Sequence, residues 1–394
     1  MGTINPFSFS GMPKIVFGAG KSKELPSIIN QYGKNIILVT GKDSFKRSEE
    51  GNKILEAFVE NGINITPVEI MTEPSPLTID NVVSSYKNKL IDVVVAIGGG
   101  SVMDAGKAIS AMLLDDNSVE EYLEGVGKSV HSGNKIPMIA VPTTAGTGSE
   151  ATKNAVLSKI GPNGYKASLR HEHFVPDVAV VDPVLTLTSP QTVTAYSGMD
   201  CFSQLVEAYI STKANPFTDA LAQEGLKAVK ASLETCYNDG SNLEARTQMS
   251  FAALISGICL SNAGLGVVHG FASSIGSRYN IPHGSICGTL MAVVNETNVR
   301  KLKKMPYCKN YLAKYARLGL LFAGKKDNAT MEDYADAFVD YLFALTDKLK
   351  LPKFVSYGVA DEDIPQILKK TSCKNNPILL SPLDLKEIFQ KRNK

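Results

Sequence analysis

The chain has 394 residues, 44% hydrophobic and 20% charged, so it has an ordinary globular composition and is long enough for two packed domains. Its formal charge of +2, with 41 basic residues spread along the sequence, argues against a nucleic-acid-binding protein. No apolar run approaches the roughly 18 to 20 residues that span a bilayer, and the six cysteines include no CxxC pair. We therefore expect a soluble, cytoplasmic protein with reduced thiols that binds no membrane.

The first half of the chain alternates strand-like apolar runs with helical patterns, which predicts a parallel sheet covered by helices. Several runs are apolar throughout, as expected for strands that are buried on both faces. The predicted strands are residues 35–40, 65–70, 93–98, 138–142 and 178–182.

From about Pro190 onward the sequence shows helical periodicity and no convincing strand, which predicts an all-helical second half. The clearest helix is predicted over residues 331–351. A capping signal from Thr330 and Asp333 precedes it, and Pro352 follows its end. We place the boundary between an α/β domain, residues 1–186, and a helical domain, residues 187–394.

A glycine-rich loop, IGGGSVMDAGKAIS at residues 97–110, follows a predicted strand and opens a helix. Gly98, Gly99 and Gly100 would let the backbone approach a phosphate closely, and free amides at the helix start, capped by Ser101, would meet a pyrophosphate. The alternative is a tight turn closed by a capping box from Ser101 to Asp104. By itself this loop leaves both interpretations open.

A second loop, PTTAGTGSEAT at residues 142–152, also follows an apolar strand. It offers hydroxyl donors from Thr143, Thr144, Thr147 and Ser149. Both loops would meet at the carboxyl ends of neighbouring strands, where open α/β sheets bind ligands. The pair favours a dinucleotide site.

Residues 264–284, GLGVVHGFASSIGSRYNIPHG, contain two of only five histidines, His269 and His283. We expect one to project from a helix and the other from the turn that follows. In GMDCFSQLVEAY, residues 198–209, Asp200 and Gln204 lie four apart and would share one helix face. Histidine suits zinc or ferrous iron, and a carboxylate completes a mixed site. Two histidines alone favour ordinary core or surface positions, but the Asp200 motif and the two glycine-rich loops reverse this and favour a metal site.

GGGSVMDAGKAIS, PTTAGTGSEAT, GMDCFSQLVEAY and HGFASSIGSRYNIPHG, in this order, resemble the iron-containing (group III) alcohol dehydrogenase family. The similarity runs over nearly the whole chain, including VPDVAVVDPVLTLTSPQTVTAYSGMD between the two halves. The resemblance implies a dehydroquinate synthase-like fold. This has an N-terminal dinucleotide-binding domain with a Rossmann-like parallel sheet, an all-α C-terminal domain, and a divalent metal, Fe²⁺ or Zn²⁺, in the cleft between them.

The resemblance places the family's metal ligands, and with them catalysis, on Asp200, His269 and His283. Gln204 stands where the family has a further histidine, and Ser273 stands where many members carry an additional active-site histidine. An amide oxygen is neutral, so metal affinity and preference should shift, and Gln204 is kept as a candidate ligand. A metal-free NAD(P)H reductase of the same superfamily and a catalytically silent nucleotide-binding or filament protein are the alternatives.

The implied reaction is hydride transfer between NAD or NADP and a primary alcohol or aldehyde, with the metal polarising the substrate oxygen. The resemblance also implies a pyrophosphate at residues 98–101, a nicotinamide at the second loop and a ribose contact from Lys166. Gly41 stands where NAD-preferring relatives often carry Asp, and Lys42 could attract a 2′-phosphate, so both cofactors stay open. Arg278 is a candidate for holding an acidic substrate group, with a surface or interface role as the alternative. Family members also lead us to expect a homo-oligomer.

Overall fold

The computed structural model describes residues 6–393. Its strands are β1 (Lys14–Phe17), β2 (Asn35–Gly41), β3 (Asn64–Ile70), β4 (Val93–Gly98), β5 (Met138–Pro142), β6 (Asn154–Lys159), β7 (Tyr165–Arg170) and β8 (Val178–Val181). Six of them form one sheet in the order β1-β8-β5-β4-β2-β3, and every neighbouring pair is parallel. The five predicted strands are all present, which confirms the parallel sheet.

The central strands are buried on both faces. Every residue of β4 and of β5 is buried, and alternate residues of β4 belong to hydrophobic clusters on opposite sides of the sheet. Val94 and Ala96 pack on one side, while Val93 and Val95 pack on the other. This arrangement explains the apolar runs, because a strand covered by helices on both faces has no polar face.

Three strands were not predicted. β1 is a four-residue edge strand that pairs with β8, and its first two residues are exposed, so its apolar signal is weak. β6 and β7 form a separate antiparallel hairpin, from the Asn154 and Arg170 pair to the Lys159 and Tyr165 pair. Their sequences mix polar and apolar residues, as expected for strands with one covered face.

Fourteen α-helices lie within the described residues. Those of the first half are α1 (Leu25–Ile29), α2 (Ser44–Arg47), α3 (Glu49–Glu60), α4 (Pro76–Tyr86) and α5 (Gly100–Met112). Those of the second half are α6 (Gln191–Ile210), α7 (Pro216–Asn238), α8 (Leu243–Ala263), α9 (Val267–Gly276), α10 (His283–Leu302), α11 (Lys309–Ala323), α12 (Met331–Lys348), α13 (Ile364–Lys370) and α14 (Pro382–Asn393). Between β8 and residue 393 there is no strand, as predicted.

Helix α12 begins at the predicted residue, Met331, and ends at Lys348, three residues before the predicted end at 351. Its capping box is formed as expected: the Asp333 amide donates to the Thr330 hydroxyl, and the Thr330 amide donates to the Asp333 carboxylate. The domain boundary at residue 186 stays a prediction, although α6 opens the helical half at Gln191.

Helix α6 is the centre of the helical half. Every residue from 198 to 210 is buried, and α6 packs against α7, α8 and α10. A helix surrounded in this way should be apolar on all sides, yet α6 carries Asp200, Gln204 and Glu207 inside the buried stretch. Over residues 6–393 no single helix is long and apolar enough to cross a membrane; α8 and α9 meet that test only together, with a bend of 97° between them.

Candidate active site

A cleft of about 150 Å³ lies where the carboxyl ends of β4 and β5 face α6, α9 and α10. Ten of the residues predicted to form the site line it: Gly100, Ser101, Asp104, Thr147, Ser149, Lys166, Asp200, Gln204, His269 and His283. The predicted residues that do not line this cleft are Gly41, Gly98, Gly99, Thr143, Thr144, Ser273 and Arg278. The two glycine-rich loops and the histidine stretch therefore meet in one cavity.

Helix α6 presents three polar side chains on one face, because Asp200, Gln204 and Glu207 follow one another at spacings of four and three. The innermost, Glu207, contacts His269. One carboxylate oxygen lies 2.6 Å from His269 Nδ1, and the other accepts the backbone amide of Val268 at 2.7 Å. Glu207 thus holds both the ring and the start of α9, and it directs Nε2 of His269 toward Asp200.

The second histidine is the first residue of α10 rather than part of a turn after α9, so our expectation of a turn position was wrong. The residue after it must be small. A Cβ on Gly284 would lie 2.2 Å from the carbonyl oxygen of Tyr196 in α6. Glycine here lets α10 approach α6 closely enough for His283 to reach Asp200, because the two helix backbones are in direct contact.

Four ligand atoms converge at this point. Asp200 Oδ1 lies 3.3 Å from His269 Nε2 and 3.6 Å from His283 Nε2. Cys287 Sγ lies 3.7 Å from each of the two Nε2 atoms. All four atoms lie within 4.8 Å of one another. Exposure rises from 3% for the Asp200 side chain to 12% for His269 and 31% for His283, so the cluster opens toward the cleft on the His283 side.

The charges of this cluster suit a cation. Burial works against an ionised Asp200, but the two histidines lower its pKa. Burial lowers the pKa of His283 to about 4, so its ring is neutral at pH 7. Burial also disfavours a charged His269, yet Cys287 and Asp200 raise its pKa well above the usual value. The Asp200 carboxylate therefore favours positive charge on the side of the cluster where His269 lies.

The donor set fits a divalent metal such as Zn²⁺ or Fe²⁺, because a carboxylate and two imidazole nitrogens point to one centre. Gln204 gives a second sign of fit. Its Nε2 donates to the Thr147 carbonyl at 3.3 Å and to Asp200 Oδ2 at 3.4 Å. Its Oε1 is buried in the cleft wall and has no hydrogen-bond partner within residues 6–393. A buried acceptor without a donor is expected to face a bound group.

The first loop forms a helix N-terminus without a side-chain cap. Helix α5 begins at Gly100 with Gly99 as its N-cap residue, and no side-chain capping bond is present. The predicted capping by Ser101, and the alternative capping box to Asp104, are therefore both wrong, because Ser101 already lies inside the helix. The first amides of α5 remain available for an anion. A Cβ on Gly100 would lie 2.6 Å from Thr147 Cγ2, so glycine lets the two loops touch.

A buried lysine, Lys107, donates hydrogen bonds to the second glycine-rich loop. Lys107 of α5 donates to the Ser149 hydroxyl at 2.6 Å, to Thr152 Oγ1 at 2.8 Å and to the carbonyl oxygens of Ser149 and Asn154. Asp104 accepts the Ser149 hydroxyl at 2.6 Å. Asp104 and Ser149 are thus joined to each other in a network that shapes the loop.

Three further predicted residues have specific surroundings. Lys166 lines the cleft and pairs with Glu73 at 2.6 Å, and Glu73 also accepts the Ser158 hydroxyl. Ser273 is exposed on α9. Arg278 pairs with Asp363. The structure therefore brings Lys166 into the cleft and leaves Ser273 and Arg278 outside it.

Sequence reasoning missed Glu207, Cys287, Lys107 and Glu73. Two of them had a readable signal: Glu207 extends the Asp200 and Gln204 face by one turn, and Cys287 follows His283 by four residues on one helix. Glu73 had no such signal. It follows β3 in the sequence, and it meets the other cleft residues through its contacts with Ser158 of β6 and Lys166 of β7.

Glycine-rich loops of the α/β sheet and a cluster of candidate metal ligands from the helical half face one cleft, an arrangement that suits an enzyme that uses both a nucleotide and a metal. Residues 13–183 match the family model for iron-containing alcohol dehydrogenase, and residues 194–392 match the model for the C-terminal part of the same family. The chain belongs to the iron-containing alcohol dehydrogenase family, which confirms the resemblance and the predicted fold class.

Individual relatives agree with this assignment. Alcohol dehydrogenase 4 of Saccharomyces cerevisiae (strain YJM789) is 35% identical over 309 residues, which cover 76% of this chain and 77% of the yeast protein. The NADPH-dependent butanol dehydrogenase of Clostridium saccharobutylicum is 29% identical over 95% of each chain. The crystal structure of a 1,3-propanediol oxidoreductase has a TM-score of 0.88 at 26% identity and covers 98% of this chain and 100% of its own. The chain is therefore an NAD(P)-dependent oxidoreductase of a family that works with a divalent metal.

Proposed function

We propose that Asp200, His269 and His283 hold the catalytic metal of an alcohol dehydrogenase that interconverts a small primary alcohol and its aldehyde. The observation that carries this proposal is that these ligands share one cavity with Gly100 and Ser101 at the start of α5. A metal that acts on the substrate oxygen and a nicotinamide that acts on the adjoining carbon must bind in the same cavity.

When bound, the metal supplies Lewis-acid polarisation of the substrate oxygen, and the nicotinamide donates or accepts the hydride. The chain's own side chains position these groups. Glu207 fixes the ring of His269, and Gln204 holds Oδ2 of Asp200 through its amide. Val156 and Leu260 give the cleft apolar lining, which favours a short aliphatic substrate over a charged one and excludes water from the reacting carbon.

For the cofactor, we propose that the uncapped start of α5 binds the pyrophosphate and that Thr147 and Ser149 face the nicotinamide side. Lys166, which lines the cleft and pairs with Glu73, would contact a ribose hydroxyl. Gly41 ends β2 without a carboxylate, and the adjacent Lys42 is exposed, so NADP is accepted as well as NAD. Gly41→Asp should raise the KM for NADPH at least tenfold and leave the KM for NADH within threefold; an equal effect on both would place the ribose elsewhere.

The proposed function is tested by measuring the metal content per chain together with the activity. We expect one divalent metal per chain, loss of aldehyde-dependent NAD(P)H oxidation on chelation, and recovery with Zn²⁺ or Fe²⁺. Asp200→Asn should lower metal content and activity together, whereas Ser203→Ala, a neighbour on α6, should change neither. Full activity without metal would favour the metal-free reductase. Intact cofactor binding with no turnover across a broad aldehyde panel would favour a catalytically silent protein.

Gln204 is tested by its replacement with histidine. We expect Gln204→His to raise metal affinity at least tenfold, since it adds an imidazole beside Asp200. Unchanged affinity and metal preference would place Gln204 outside the metal's reach. A homo-oligomer and a cytoplasmic location stay predictions, and light scattering in solution is the measurement for the first.

A further inference from the structure

Cys287 lies inside the metal-ligand cluster, although neither the function nor the family resemblance uses it. It follows His283 by one turn of α10, and its side chain is buried. Its sulfur lies at the same distance, 3.7 Å, from the Nε2 atoms of His269 and His283. The sulfur could donate its proton to one of these nitrogens and accept an N–H from the other, but equal distances to both rings also put it where a further ligand of a shared ion would lie.

Four of the six distances between these ligand atoms match the edges of a tetrahedron, and the other two are no longer than 4.8 Å. With zinc bonds of about 2.0 to 2.1 Å to nitrogen or oxygen and about 2.3 Å to sulfur, neighbouring ligand atoms lie about 3.3 Å apart for N and O, and about 3.6 Å apart for N and S. The two histidine to Asp200 distances are 3.3 and 3.6 Å, and the two cysteine to histidine distances are 3.7 Å. We propose that Cys287 is a fourth ligand of the metal held by Asp200, His269 and His283.

Charge supports the same assignment. The Asp200 carboxylate and a Cys287 thiolate together balance a divalent ion in a site that is largely closed to water, where an unbalanced charge is costly. Binding of the ion forms the metal–sulfur bond and releases the thiol proton to solvent. Because zinc sites can expand to five ligands, four protein ligands still leave access for a substrate oxygen.

Gln204 is then a positioning residue. Both partners of its Nε2, the Thr147 carbonyl and the Asp200 carboxylate, are acceptors, so turning the amide around would set oxygen against oxygen. The amide therefore holds Oδ2 of Asp200 while Oδ1 faces the two histidines. A soft thiolate in place of a further imidazole predicts that this chain prefers Zn²⁺ over Fe²⁺.

The inference rests on the proposed metal site and is tested with cobalt(II), whose spectrum reports its ligands. The metal-free protein is titrated with Co²⁺, and we expect a sulfur-to-cobalt charge-transfer band in the near ultraviolet together with intense visible bands of tetrahedral cobalt. Cys287→Ala should still bind Co²⁺ but lose the charge-transfer band. The control is Cys259→Ala, which removes a buried cysteine whose sulfur faces the Thr218 carbonyl, and it should keep the band.

Competition with a chromophoric chelator measures the affinities. We expect Cys287→Ala to lower Zn²⁺ affinity at least a hundredfold and Fe²⁺ affinity less. Visible cobalt bands without a charge-transfer band in the unmodified protein would overturn the role of Cys287 while leaving the metal site in place. No Co²⁺ binding at all would overturn the metal site itself. If both cysteine variants lost the charge-transfer band, the loss would be due to disturbed packing. This result would also overturn the assignment of Cys287 as a ligand.

Discussion

The close contact between α6 and α10 makes Gly284→Ala a direct test of the site's geometry. The added methyl would lie 2.2 Å from the Tyr196 carbonyl oxygen and 3.3 Å from Asp200 Cβ. To restore an ordinary contact of 3.4 Å, the two backbones must separate by about 1.2 Å. Such overpacking costs roughly 1–3 kcal/mol of folding free energy.

The same displacement reaches the proposed metal ligands, because His283 and Asp200 lie on the two separating helices. Their facing atoms lie 3.6 Å apart. A further 1.2 Å would exceed about 4.2 Å, the largest separation at which two atoms can each lie about 2.1 Å from one ion. We therefore expect Gly284→Ala to lose one ligand and to weaken Zn²⁺ binding by at least a hundredfold.

The assay is chelator competition for Zn²⁺, with urea unfolding of the metal-free protein measured beside it. Gly11→Ala is the control, because a Cβ at Gly11 meets nothing within 4 Å. A folded Gly284→Ala protein with unchanged Zn²⁺ affinity would refute the argument that this helix contact sets the ligand distances.

Three further predictions concern buried polar groups around the site. Glu207→Gln should weaken metal binding about 10- to 100-fold, because the neutral amide no longer favours the His269 tautomer that presents Nε2; calorimetry of zinc binding measures it, and unchanged affinity would contradict it. Lys107→Met should destabilise the protein by roughly 3–5 kcal/mol and raise the KM for NAD(P)H, since the loop at Ser149 loses its buried donors; a shift in the urea midpoint with no change in KM would separate the loop from cofactor binding. Burial raises the pKa of Glu150 to about 7 from an ordinary 4.5. The folded state therefore keeps a proton that the unfolded state loses, and this group's contribution to stability falls by roughly 3 kcal/mol between pH 4.5 and pH 7. Glu150→Gln should raise the free energy of unfolding at pH 8 and change it little at pH 4.5, and an equal gain at both would contradict the sign.

Much of the fold could be predicted from the sequence, because buried strands and helices have characteristic patterns of apolar residues. Strands β4 and β5 were placed to the residue, since a strand covered on both faces must be apolar throughout. Edge strand β1 and the hairpin of β6 and β7 were not placed, because half-exposed strands carry mixed residues. The helix at α12 was found through its own capping box.

The parts of the site could be predicted where the residues involved lie close together in the sequence. Asp200 and Gln204 share a face because four residues make about one helical turn, and the glycine-rich loops follow strands whose ends must meet. Arg278 shows the limit of this reasoning. It lies between the two histidines in sequence, but its side chain pairs with Asp363, some 85 residues away along the chain.

By itself the sequence determined the parallel sheet and the helical second half, and it predicted the two glycine-rich loops and the candidate ligands Asp200, His269 and His283 as parts of one site. Only the tertiary structure decided that Cys287 stands at 3.7 Å from both histidines and that Glu207 holds one of them. The physical reason is that periodicity reports which face of an element is buried. Which atoms from α6, α9 and α10 meet depends on how closely the helices pack, and here a single glycine, Gly284, sets that distance.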